Sequence, residues 1–192
     1  MPRRPASSSS LPSLALALAL AGTACDGEAD DPPAEHQTFI ATQSDFEGFA
    51  QWERFSIDDP AVVPNHVAGI RSVFLNQRPA ADALEFPVGT IIVKWNDSDL
   101  GSQIHAMVKR GGDYNLDGAH NWEWFDLTFD DEGAVVIRWR GLAPPDGECY
   151  GCAPGVEPTT PEGGDCNGCH AAAAEDNDWV QSTVLDLRTL AQ

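Results

Sequence analysis

Cys166-Asn167-Gly168-Cys169-His170 stands 22 residues before the end of the chain and constrains it more than any other stretch. Two thiols spaced C-x-x-C and followed at once by an imidazole form the attachment pattern of c-type haem. The chemistry explains the spacing. The thiols add to the two haem vinyl groups as thioethers, and the adjacent His170 is then close enough to ligate the iron as its proximal ligand. Histidine fills 5 of 192 positions, so chance puts one after a given C-x-x-C only about 3% of the time.

The position of the motif excludes one architecture. A small electron-transfer cytochrome carries the motif near its N-terminus with a methionine ligand downstream, whereas no Met or His follows His170 here. Met1 and Met107 are the two methionines, and a Met in an apolar strand is usually packing. His66, His105 and His120 are further candidates for the far side of the iron, each more often an ordinary surface or core histidine. The expectation is therefore a five-coordinate iron with an open distal position, suited to small-ligand binding or catalysis.

The amino terminus predicts export. Arg3 and Arg4 give a charged region, Leu11 to Ala21 an apolar one, and Gly22-Thr23-Ala24 a small-residue cleavage region, so residues 1–24 read as a secretory signal peptide. That apolar run is too short to span a bilayer stably. Cys25 follows directly and is the expected lipidation site, with the protein anchored in the periplasm or outer envelope; the alternative is ordinary cleavage after Ala24. Removing Arg3 and Arg4 takes the formal charge of −19 two units further negative. Residues 25–38, with Asp26, Glu28, Asp30, Asp31 and Glu35 among prolines, read as an acidic tether. An acidic field excludes nucleic acid as a partner and favours basic redox partners, although solubility alone accounts for it.

Residues 39–192 carry all six tryptophans and eight phenylalanines, enough for one core. Asp45 to Phe55 sets Phe46, Phe49, Ala50 and Phe55 at helical spacing and predicts a short amphipathic helix. Val67 to Leu75, Gly89 to Trp95, Ile104 to Lys109, Trp122 to Phe129 and Ala134 to Arg140 are β-branched and aromatic runs separated by turn residues. The predicted fold is α+β but mainly β: a single antiparallel sheet of about five strands, flanking helices and a C-terminal haem-attachment helix running into Ala171 to Ala174. Val184 to Leu190 is a further weak helical piece. Residues 144–165, rich in Pro, Gly and acid, read as a surface loop insertion.

Phe86-Pro87-Val88-Gly89-Thr90-Ile91-Ile92-Val93-Lys94, then Met107-Val108-Lys109-Arg110, then Asn121-Trp122-Glu123-Trp124-Phe125, and last Cys166 to Ala173 resemble the cytochrome P-460 family in content and order. Gly69 to Val73 also looks like that family's first strand. The resemblance covers Asp45 to Val180 and implies a β-rich periplasmic haem protein, commonly a homodimer. It further implies that Lys94 bonds covalently to the haem ring and that the protein oxidises hydroxylamine. The related cytochrome c prime beta group keeps the fold without the cross-link and binds nitric oxide, so Lys94 is the residue that separates an oxidase from a gas binder or electron carrier.

The residues themselves are compatible with this. Lys94 and Lys109 are the only lysines, and arginine cannot lose a proton to become an amine nucleophile. Period-2 alternation puts Lys94 on the face of Thr90 and Ile92, opposite Ile91, Val93 and Trp95. Glu123, Asp126 and Glu157 are candidate proton acceptors, and Phe74 and Trp124 are candidates to line the distal side or to be core. Trp95 stands where some relatives have an acidic residue.

Cys149 and Cys152 form a second C-x-x-C without a following histidine. Together with Cys166 and Cys169 the spacing invites a four-thiolate zinc module. An exported chain oxidises such thiols, so a local disulfide between Cys149 and Cys152 is the expectation, and zinc leaves His170 unexplained.

Overall fold

The computed structural model describes residues 37–57, 70–98, 101–145, 166–172, 175–182 and 184–192. The signal peptide, Cys25, the tether up to residue 36, His66, Cys149, Cys152, Glu157 and nearly all of the 144–165 insertion lie outside the described residues. Six strands form one antiparallel sheet in chain order: β1 Glu53–Ile57, β2 Ile70–Leu75, β3 Ile91–Ser98, β4 Gly101–Lys109, β5 Trp122–Phe129 and β6 Val135–Gly141. The helices are short: α1 Cys166–Ala171 and α2 Leu187–Leu190.

Among the described residues the count is six strands, not about five, and the additional one corrects the predicted Asp45 to Phe55 helix. Two 3-10 turns, Gln43–Phe46 and Phe49–Gln51, occupy its first half. Gly48 sits between them at φ 69, a left-handed conformation that interrupts helical propagation. Phe55 then pairs with Val73 in β1. The helical spacing of the aromatics arises because Phe46 and Phe49 reach the sheet from separate turns. The second correction is at the β3–β4 hairpin, where the sequence predicts a turn over Asp97 to Gly101. Pairing instead runs through Asp97 with Ser102 and on to Ser98 with Gly101.

The alternating strands bury apolar residues on both faces. One face collects Phe46, Phe49, Phe74, Val93, Val108 and Phe125, covered by the N-terminal turns, with the Phe46 and Phe125 rings 5.1 Å apart. The other collects Val73, Ile92, Met107, Trp122 and Trp124 beneath Val180, Leu185, Leu187 and Leu190 of the C-terminal segment. Each such side chain stabilises the fold by about 1.5–3 kcal/mol when fully buried. The second face carries α1 and hence the C-x-x-C-H motif; Cys166 packs against its apolar cluster.

Candidate functional site

α1 begins on the motif itself, so Cys166 and Cys169 stand three residues apart on one turn, half-buried and exposed respectively. A loop fastens this turn to the sheet. The side-chain oxygen of Asn167 accepts from Asn115 Nδ2 at 2.6 Å and from the Ala119 amide at 3.2 Å. Gly118 admits the arrangement: a Cβ there would lie 2.5 Å from the side chains of Asn115 and Asn167.

His170 Nδ1 lies 2.7 Å from the carbonyl oxygen of Trp179. A carbonyl only accepts, so Nδ1 carries the proton and Nε2 is the nitrogen with a lone pair. Burial pushes the imidazole pKa down to about 4, against the upward pull of the Trp179 carbonyl and with a further push from Lys94. The ring is neutral at physiological pH and packs on Trp124, with centroids 4.5 Å apart. This is the tautomer and orientation of a metal-ligating histidine.

Lys94 stands on β3 on that same face, paired with Val73 of β2 and His105 of β4. Its side chain is half-buried by surface area, yet its ammonium is desolvated enough to lower the pKa to about 8. Cys166 and Cys169 oppose that shift electrostatically and Arg71 adds to it, so the charge of Lys94 lies within range of both thiols and of a guanidinium. An amine at pKa about 8 is nucleophilic near neutrality.

The other expected residues separate by face. His105 is turned toward Asp126 across the β4–β5 ladder, Nε2 to Oδ1 3.7 Å, and Asp126 Oδ2 lies 2.9 Å from Arg138 Nη1. Glu123 is on the opposite face of β5, gripped by Arg140 Nε and Nη2 at 2.7 Å each and by Arg110 at 3.3 Å. Those bonds make it a structural anion. Phe74 is in the core with Phe49, centroids 5.4 Å apart, on the face away from Lys94. Met107 is 6% exposed within the apolar cluster. His120 packs against Trp179 with the rings tilted at 38° and centroids 4.4 Å apart.

Sequence reasoning misses Arg71, although an arginine inside the apolar run of β2 is a visible anomaly. It is 2% exposed, yet its Nε and Nη1 have no acceptor among the described residues, and neither does Trp124 Nε1. Buried donors without acceptors are costly, which fits a site that receives an acceptor-bearing group. Among the described residues no cluster of three or more His, Cys, Asp or Glu could hold a metal ion by itself, and no helix is long and apolar enough to cross a membrane. No family model matches the chain, and no curated protein or solved structure matches it significantly.

Proposed function

We propose that this chain is an exported c-type haem protein of the cytochrome P-460 kind that oxidises hydroxylamine and passes the electrons to a separate redox protein. The observation that carries the reading is that one sheet face gathers Cys166, Cys169, a neutral Nδ1-protonated His170 and the low-pKa Lys94, although β3 and α1 are far apart in the chain. The residues fit the group. Cys166 and Cys169 would bear the thioethers, His170 Nε2 would ligate the iron, and Lys94 Nζ would form the cross-link. The orphaned donors of Arg71 would meet a carboxylate of the macrocycle or the oxygen of a bound small ligand.

Haem iron, when bound, supplies the ligand-binding and electron-accepting centre. The protein's own part is to hold protons and exclude water. Asp126, with His105 beside it and Arg138 behind it, is the candidate proton acceptor on the Lys94 face; Glu123 is spoken for by two arginines.

Absorption spectroscopy and intact mass of protein matured with haem-attachment machinery test this. A red-shifted ferrous Soret band and a haem peptide bridging to Lys94 support the oxidase. An ordinary five-coordinate spectrum with nitric oxide binding and no bridge transfers the assignment to the gas-binding group. Colourless protein with stoichiometric zinc sinks both. The variant Lys94→Leu should keep its haem and lose turnover of hydroxylamine.

A further inference from the structure

We infer that Lys109 and Asp178 are a positioning pair for the proximal histidine, acting through the carbonyl of Trp179. The inference rests on the haem reading above, because it assigns the pair a role at the ligand His170.

Asp178 and Trp179 are consecutive non-glycine residues with φ 51 and φ 57. Left-handed backbone at two such residues in succession is unfavourable and persists only where the surroundings over-determine it. Here Asp178 does so from every side. Its Oδ1 takes the ammonium of Lys109 at 2.5 Å and its Oδ2 the amide of Phe86 at 3.0 Å. Its carbonyl takes the indole of Trp122 at 2.9 Å, and its amide donates to the Glu175 carbonyl at 2.9 Å. Lys109 is the last residue of β4 and 2% exposed, with Glu85 as a more distant anion at 3.6 Å and the Trp122 ring 5.3 Å away. The buried ion pair thus pins the turn to the rigid sheet, and the carbonyl one residue further on is the acceptor for His170 Nδ1.

A burial role for the pair would be served as well by two apolar residues, since a buried ion pair is seldom favourable against a hydrophobic substitute. What the charges add is a fixed direction for the Trp179 carbonyl. That bond sets the plane of the imidazole and its basicity as a ligand. Neither Lys109 nor Asp178 touches the iron site, so they are positioning residues rather than catalytic ones.

The test uses the haem-matured protein. Resonance Raman of the ferrous form reads the iron–imidazole stretch, and NMR reads solvent exchange of the hyperfine-shifted Nδ1 proton. In Asp178→Ala the stretch should move to lower frequency and the proton should exchange about tenfold faster or more, with the haem still attached. Asp178→Asn combined with Lys109→Met removes both charges, keeps an acceptor for Phe86 and should shift both readouts the same way; it decides the matter where Asp178→Ala does not fold. A folded variant with wild-type stretch and exchange overturns the pairing while leaving the haem reading intact. Fast exchange of the Nδ1 proton in the unaltered protein overturns it without any variant. Protein that matures with no haem at all overturns both.

Discussion

The indole of Trp124 lies against the imidazole of His170, their planes inclined at 46°. Two roles of the indole are separable, because its ring packs while its N–H has no acceptor among the described residues. Trp124→Phe keeps an aromatic ring against His170 and drops the orphaned donor, losing only the second ring of the indole, so it should cost about 1–2 kcal/mol. Trp124→Ala opens a cavity under His170 and should cost about 3–5 kcal/mol. Urea denaturation of both variants checks this, and equal losses in the two would contradict it.

Lys94 should react as an amine far below the usual lysine range. Its pKa is lowered from 10.5 to about 8, chiefly by desolvation, so acylation should reach half its limiting rate near pH 8. The two thiols oppose the shift. In protein matured with haem the proposed cross-link would consume this amine, and Lys94 should then escape acylation at every pH. Peptide mapping after timed acylation at several pH values measures both. A midpoint above about pH 10, the ordinary lysine range, would mean the ammonium is solvated.

Acid should unfold the protein made without haem partly through His170. Its folded pKa of about 4 lies below the ordinary 6.5, so the unfolded state binds the extra proton between those values. Stability is unaffected by this group above pH 6.5 and is lost as the pH falls from 6.5 to 4, by roughly 3 kcal/mol at the lower limit. His170→Gln should flatten that part of the profile, measured by urea unfolding at about pH 7 and about pH 4. An unchanged profile would place the imidazole in water.

Asn167 should matter to the seating of α1 beyond its place between the two cysteines. Asn167→Ala strands the Ala119 amide and takes one acceptor from Asn115 Nδ2, which keeps the Ala119 carbonyl at 2.7 Å, and should cost about 1–3 kcal/mol. Gly118→Ala forces a methyl onto the same two side chains and should weaken the same contact. Hydrogen exchange at Ala119 is the local readout; wild-type protection in Asn167→Ala would show that the bond is incidental.

Much of the sheet is legible in the chain because Gly89 to Trp95, Ile104 to Lys109 and Trp122 to Phe129 are long β-branched and aromatic runs whose period of two leaves little choice of face. The face of Lys94 follows from that period alone, with Ile92 beside it in the cluster under the C-terminal segment. β1 is hidden because Phe46, Phe49 and Phe55 mimic a helical stripe while belonging to two turns and a strand. The acceptor for His170 is equally hidden. Trp179 adopts its conformation because Asp178 is tied to Lys109, 69 positions away, and no local pattern encodes that tie. Glu123 and Asp126 look alike in sequence and differ only in which arginines the register brings to each face.

Each strand of the sheet pairs only with its neighbours in sequence, β1 through β6 in unbroken order. Such a meander joins neighbours in the chain, and its ladders draw on no residue of the carboxyl-terminal segment. The segment bearing the two thiols and the imidazole follows the six strands in the chain and is laid over a platform whose ladder pairing is complete without it. Under the haem reading proposed above, its thiols would be open to a ligating enzyme whenever that cover lifts from the platform.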